Sequence, residues 1–126
     1  MSSLKVNEVA KIPRPVTLLW PKPDTRIPVA QRAPLVLDGV VDCDYALYSQ
    51  EEAEQLDAQV DAGEMTSAER FALLVPDIRG LPLGAEQTPH QWLAQHKYGS
   101  VVRNAIWEDY QAFLAEGRQG NSKKRR

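Results

Sequence analysis

The sequence has 126 residues, of which 43% are apolar and 25% charged, the composition of an ordinary soluble globular domain with a single hydrophobic core. This composition excludes a wholly disordered, collagen-like or membrane-embedded chain, and no apolar run approaches the roughly 18–20 residues that a bilayer crossing needs. The formal net charge of −2 hides an uneven distribution: residues 1–38 carry +3, residues 39–116 carry −10 and residues 117–126 carry +5.

The N-terminal third is rich in proline, which removes backbone donors and fixes φ, so we expect no helix there. The prolines of this segment are Pro13, Pro15, Pro21, Pro23, Pro28 and Pro34. We predict that residues 1–34 form a Pro-rich extended arm that is either irregular or an edge strand, with Val16–Trp20 as the segment most suited to an extended conformation. The N-terminus lacks the apolar core and cleavage site of a signal peptide, and the single Cys43 cannot form an internal disulfide. These features predict a cytoplasmic protein.

A β-hairpin is predicted next. Asp38-Gly39 lies between two short apolar runs, which is the pattern of a two-residue turn. The chain then alternates from Val41, and the alternating set that we expect to face the core is Val41, Cys43, Tyr45 and Leu47. Cys43 is therefore predicted to be a small core side chain rather than a reactive thiol.

Helices are predicted from here to residue 116, because three capping boxes occur in succession. They begin at Ser49, Thr66 and Thr88, each followed three residues later by Glu or Gln. With Gly and Pro as stop signals, the predicted helices are 50–61, 67–75, 89–97 and 101–116, and the Gly- and Pro-containing loop 76–84 is predicted to be irregular.

The last predicted helix has the clearest amphipathic pattern. Its core-facing stripe is Val102, Ile106, Tyr110, Phe113 and Leu114, whereas Glu108, Asp109 and Glu116 are predicted to lie away from it. Residues 118–126 contain no apolar side chain, so we predict a disordered basic tail. The fold class predicted is α+β, with residues 35–117 as the globular domain.

No pattern in the sequence indicates catalysis. The two histidines, His90 and His96, are six residues apart and so lie on different faces of one helix, whereas metal-binding pairs favour a spacing of four. The sequence also lacks a Cys-x-x-Cys pair, a phosphate-binding Gly-rich loop and a Gly-x-Ser-x-Gly motif. We therefore expect no enzyme activity, no cofactor and no metal site. The candidate partner-binding residues are Trp20, Trp92, Leu93 and Trp107, since exposed tryptophan often anchors protein interfaces.

Residues 42–69 carry nine acidic side chains and contain no Lys or Arg. This segment is either a solvated helix face or a negative surface that binds a basic partner or imitates nucleic acid. The second possibility gives an alternative function, a small acidic inhibitor of a nucleic-acid-binding enzyme.

The order of these features resembles a known family. A strand leads into the segment Tyr48 to Leu56, a Gly/Pro loop occupies Asp77 to Leu83, Trp92-Leu93 lies on a short helix, and the segment Tyr98 to Tyr110 leads to Phe113-Leu114 and a basic tail. This arrangement, over residues 40–126, is similar to that of the small tail assembly chaperones of long-tailed bacteriophages and prophages. The sequence differs from that family at Leu74-Val75-Pro76, where the family often has a tryptophan.

The resemblance implies a non-enzymatic role in tail morphogenesis in the bacterial host cytoplasm. Proteins of this family bind the long helical tape measure protein and help to recruit tail tube subunits, and they leave before the tail is complete. The resemblance therefore implies the tape measure protein and the tail tube protein as partners. Neither nucleic acid nor a membrane is expected as a partner. In the same context, the alternative function is that of a small acidic phage-encoded inhibitor of a nucleic-acid-binding bacterial enzyme.

Overall fold

The computed structural model describes the backbone of residues 11–124 and the side chains of residues 11–116. In this part of the chain, the protein is an α+β fold, as predicted, with a three-stranded antiparallel sheet of order β1-β2-β3. The strands are β1 (Lys11–Trp20), β2 (Leu37–Ala46) and β3 (Asp77–Arg79). The helices are α1 (Gln50–Asp61), α2 (Ser67–Leu74), α3 (Pro89–Gln95) and α4 (Gly99–Lys124), and a 3-10 turn lies at Val29–Gln31.

The first two strands form a long hairpin, but its turn is not where the sequence predicts it. β1 and β2 pair over their whole length, so that Gly39 lies inside β2 opposite Leu18. The predicted turn at Asp38-Gly39 is therefore wrong, and residues 21–36 make the connection instead. A turn dipeptide is a local signal, and here the pairing of a complete neighbouring strand outweighs it.

β1 falls within the segment predicted as an extended arm, and it is an edge strand. An edge position tolerates Pro13 and Pro15, because only one side of such a strand needs backbone donors. Val16 and Leu18 are nevertheless 4% and 8% exposed. This part of the N-terminal segment therefore contributes side chains to the core.

The three capping boxes are all formed, which explains why α1, α2 and α3 begin where the sequence predicts. In each box the hydroxyl of the cap residue accepts a hydrogen bond from a backbone N–H, and the Glu or Gln side chain accepts one from the backbone N–H of the cap. The prediction that residues 76–84 are wholly irregular is wrong, because β3 lies there. Its central residue, Ile78, is 2% exposed and pairs opposite Cys43.

α4 begins two residues before its predicted start and continues past Gly117, where the sequence predicts its end. Residues 125 and 126, and the side chains from residue 117 onward, lie outside the described part of the chain. The backbone of residues 118–124 belongs to α4, so the disorder predicted for residues 118–126 is not found in that part, and the prediction for residues 125 and 126 lies outside the described residues.

The core lies between one face of the sheet and the helices. The predicted stripe of α4 is confirmed, with Val102, Ile106 and Tyr110 buried and Phe113 and Leu114 half-buried. The alternation of β2 is confirmed for Val41, Cys43 and Tyr45, which are 3%, 0% and 0% exposed. Leu47, predicted to continue it, is exposed instead, because β2 ends at Ala46. None of the helices in the described part has the length and apolar character needed to cross a membrane.

Candidate functional site

The four predicted partner-binding residues occupy three different environments. Trp20, at the end of β1, is 37% exposed. Trp92 and Leu93 of α3 are each 5% exposed and belong to the core. Trp107 of α4 is half-buried and stacks on Tyr110, with ring centroids 5.7 Å apart. Trp20 is therefore the residue of these four that a partner can reach most directly.

Trp20 and Trp92 are linked by a row of aromatic rings that the sequence does not indicate. The Trp20 ring lies 5.6 Å from that of Tyr98, which lies 5.7 Å from His96, and His96 stacks on Trp92 at 4.3 Å. His96 is also held by its Nδ1 atom, which accepts a hydrogen bond from the Tyr98 backbone N–H at 3.1 Å. Leu93 and Trp107 are not members of this row.

A groove of about 760 Å³ lies between the end of β1, the connection that follows it and the first turns of α4. Trp20 and Leu19 form one wall, and Val101 and Ala105 of α4 form the other. The remaining lining residues are Thr17, Lys22, Pro23, Thr25, Asn104 and Glu108. Half of the ten lining side chains are apolar and they supply most of the accessible surface of the groove, while one cation, Lys22, and one anion, Glu108, leave it without net charge.

Exposed apolar side chains are concentrated on the segment that also supplies Leu19 and Trp20 to this groove. Of ten exposed large hydrophobic residues in the described part, six lie within residues 19–36: Leu19, Trp20, Ile27, Val29, Leu35 and Val36. Isolated exposed apolar residues are normal, but a concentration of them on one segment is typical of an interaction surface. The groove and the β1–β2 connection therefore form the strongest candidate for a protein-binding site.

The acidic segment is divided between two surfaces. Asp42 and Asp44 lie on the side of the sheet away from the helices, where both Nη atoms of Arg79 donate to Asp44 at 2.9 and 3.0 Å. This hydrogen bonding with Arg79 lowers the pKa of Asp44. α1 carries five further acidic residues and has no buried residue, and its Asp57 pairs with Arg70 of α2 at 2.8 Å. The acidic face of α1 is thus a solvated surface.

The histidines and the cysteine have structural surroundings. The His90 ring packs edge-on against Phe71 with centroids 5.8 Å apart, and His90 is half-buried. Burial raises the pKa of Cys43 to about 12, which keeps its thiol protonated. Within the described residues, no group of three or more His, Cys, Asp or Glu side chains is arranged to hold a metal ion.

A polar cluster at the edge of the core was not predicted from the sequence. Asp109 accepts hydrogen bonds from the Tyr45 hydroxyl at 2.7 Å and from Arg14 Nε at 2.8 Å. Arg14 also donates both Nη groups to Glu116, at 3.0 and 3.2 Å. The prediction that Asp109 and Glu116 lie away from the core stripe is thus wrong for Asp109, which contacts a fully buried tyrosine. This cluster joins β1 and β2 to α4, and its role is structural.

Comparison with known proteins identifies no relative: no family model matches the chain, and no curated protein and no solved structure is significantly similar to it.

Proposed function

We propose that this protein is a tail assembly chaperone of a long-tailed bacteriophage or prophage. In this role it acts in the bacterial cytoplasm, binds the tape measure protein and helps to recruit tail tube subunits. The proposal includes no catalysis and no cofactor. The observation that supports it best is the apolar groove between α4 and the end of β1, because a chaperone of this kind needs a surface that receives a helical client.

The wall that α4 contributes suits a second helix lying beside it. Val101, Ala105 and Glu108 are spaced i, i+4 and i+7 and so share one face of α4. The small side chain of Ala105 allows close approach, since helices pack at axial distances of roughly 8–10 Å. An amphipathic helix can therefore place its apolar stripe along α4.

The opposite wall supplies the anchor. Trp20 presents a large apolar ring at 37% exposure, and its contact with Tyr98 fixes its position before the client binds. Buried tryptophans often dominate interface energies, and truncation of such an anchor typically costs about 2 kcal/mol or more. Helix-in-groove binding is a common mode of recognition for amphipathic helices. We therefore expect the client to be a helical segment of the tape measure protein.

The proposal is tested by co-expression with the tape measure protein from the same genome. Ala105→Arg places a long charged side chain in the groove, whereas Gln111→Arg places the same side chain at an exposed position of the same helix. We expect the wild-type protein and Gln111→Arg to keep the tape measure protein in the soluble fraction and to co-purify with it. Ala105→Arg is expected to lose both effects while retaining its circular dichroism spectrum. Equal performance of the two folded variants would contradict the proposal.

A second candidate function, inhibition of a nucleic-acid-binding enzyme, is supported by the acidic face of α1. Glu51, Glu54 and Asp61 are exposed and form no salt bridge within the described residues. Inhibition would be supported if the protein competes with DNA for a bacterial nuclease and the triple variant Glu51→Gln, Glu54→Gln, Asp61→Asn does not. The same triple variant is expected to keep tape measure binding if the protein is a chaperone.

A further inference from the structure

Part of the central strand, β2, has a neighbouring strand on one side only. β1 pairs with every residue of β2, whereas β3 pairs with Asp42–Asp44 alone. In the portion of the chain that the structure describes, no other strand runs beside Asp38–Val41 on the β3 side. After β3 the chain turns away at Gly80, which has a φ of 106°.

The register shows which backbone groups this interruption leaves free. In antiparallel strands, the N–H and C=O of one residue point to one neighbour and those of the next residue to the other. Asp42 lies opposite Pro15, which has no N–H to donate, and opposite Arg79 of β3. The even-numbered residues of β2 therefore point their backbone groups toward the β3 side. A Cβ added to Gly80 would lie 3.2 Å from the Val40 carbonyl oxygen, which agrees with this assignment. Asp38 thus directs both of its backbone groups at the free edge, and Val40 directs its N–H there, whereas the Val40 carbonyl oxygen faces Gly80.

A pocket of about 370 Å³ adjoins this edge. Its floor consists of buried apolar side chains: Leu18, Val41, Trp92 and Val102. Its rim includes the Gly80–Pro82 segment on one side and His96, Lys97 and Tyr98 on the other. Asp38 and Lys97 bring one negative and one positive charge to the rim. The pocket is large enough for one bulky apolar side chain.

We propose that the free edge of β2 at Asp38–Val41 binds an extended peptide segment of a partner protein, which continues the sheet in the place that the chain leaves at Gly80. Alternate side chains of the added strand point to opposite faces. One set lies on the open face of the sheet, and one large apolar residue of the other set enters the pocket. This site is separate from the groove beside α4 and does not depend on the proposed chaperone function.

The arrangement selects an extended backbone. Donors and acceptors of residues two apart along a strand are spaced for another strand, whereas a helix uses its backbone groups internally. A head-to-tail pairing with β1 of a second copy is disfavoured, because Pro13 and Pro15 remove donors from that edge. Strand addition at an exposed sheet edge, with a neighbouring pocket for specificity, is a common mode of peptide binding.

The test uses the full-length protein and a blocked octapeptide of alternating Thr and Val with a central Leu. Asp38→Pro removes a free-edge N–H without removing a hydrogen bond to β1, and Asp38→Ala is the matched control, since it removes the same charge but keeps the N–H. Loss of one or two backbone hydrogen bonds is expected to weaken peptide binding about tenfold or more in Asp38→Pro. Asp38→Ala is expected to bind within about twofold of wild type, a range that corresponds to well under one hydrogen bond.

Amide hydrogen exchange of the wild-type protein provides a second readout that does not require the proline variant to fold. The peptide is expected to protect the amides of Asp38 and Val40. N-methylation of the peptide residues whose N–H groups face β2 is expected to abolish binding, whereas N-methylation of the alternate residues is expected to leave binding intact. Equal binding of folded Asp38→Pro and Asp38→Ala would overturn the proposal. The proposal would also be overturned if the peptide gives no protection at these two amides. Protection of the same amides without peptide, caused by self-association of the protein, would overturn it as well.

Discussion

The side chains of Arg14, Tyr45 and Asp109 connect parts of the chain that are far apart in sequence. Asp109 lies 64 residues from Tyr45 and 95 from Arg14. Tyr45 is fully buried, and this burial, followed by the hydrogen bond to Asp109, raises the pKa of its hydroxyl. A buried hydroxyl without a partner would be costly, so Asp109 allows a tyrosine to occupy the core.

This environment predicts a loss of stability at alkaline pH. The folded protein keeps the Tyr45 proton at pH values at which the unfolded chain, with an ordinary tyrosine pKa of 10.0, releases it. The stability is therefore fully present below about pH 10 and decreases as the pH rises above it. Tyr45→Phe is expected to lower the free energy of unfolding at pH 7 by about 1 kcal/mol and to make the alkaline decrease shallower. Urea unfolding between pH 7 and 11 measures both effects, and parallel profiles for the two proteins would contradict this account.

Ile106 offers a direct test of the core. It is 0% exposed, so Ile106→Asp places a carboxylate among apolar side chains without a partner. We expect a destabilisation of about 4 kcal/mol or more, enough to unfold a domain of ordinary stability. Gln111→Asp, at an exposed position of the same helix, is expected to stay within about 0.5 kcal/mol of wild type. Circular dichroism melting of the two variants tests this, and a folded Ile106→Asp would show that α4 packs by another face.

Among the elements, the helices could be predicted from sequence because the signals that start them are local. Each capping box lies within four residues, and the stripe of α4 repeats along one helix. The turn prediction at Asp38-Gly39 failed because strand pairing depends on β1, whose proline content argued against regular structure. β3 is only three residues long and is defined by its contact with β2, so its own sequence carries little signal.

The two glycines near the free edge of β2 provide a test of the observed strand. Gly39 has no positive φ, and a Cβ added to it meets no atom within 4 Å. Gly39→Ala is therefore expected to leave stability unchanged or to raise it by up to about 1 kcal/mol. Gly80→Ala is expected to destabilise by more than about 1 kcal/mol, because Gly80 has a φ of 106° and approaches Val40 closely. Chemical denaturation compares them; strong destabilisation by Gly39→Ala would favour a turn at Asp38-Gly39.

For the molecule as a whole, the candidate site could not be predicted beyond Trp20. Its two walls come from residues 17–25 and 101–108, and only the folded chain brings them together. The four residues selected from the sequence share apolar character, but burial separates them: Trp92 and Leu93 support the core, and Trp107 packs within α4 and against Arg70. Exposure after folding, which depends on the tertiary arrangement, distinguishes an anchor from a core residue.

The basic C-terminal segment gives a prediction at the same scale. Residues 118–126 contain no apolar side chain and so offer no hydrophobic burial. Their deletion is expected to change the melting temperature by less than about 2 °C. Differential scanning calorimetry of the full and shortened chains measures this, and a decrease of many degrees would show that the segment stabilises the fold.

Hydrogen-exchange mapping in the presence of a helical fragment of the tape measure protein tests the chaperone account most directly. The account predicts added protection in two segments, residues 19–25 and 101–108, with residues 51–61 of α1 unchanged. Protection confined to α1, or no protection anywhere on the protein, would contradict it.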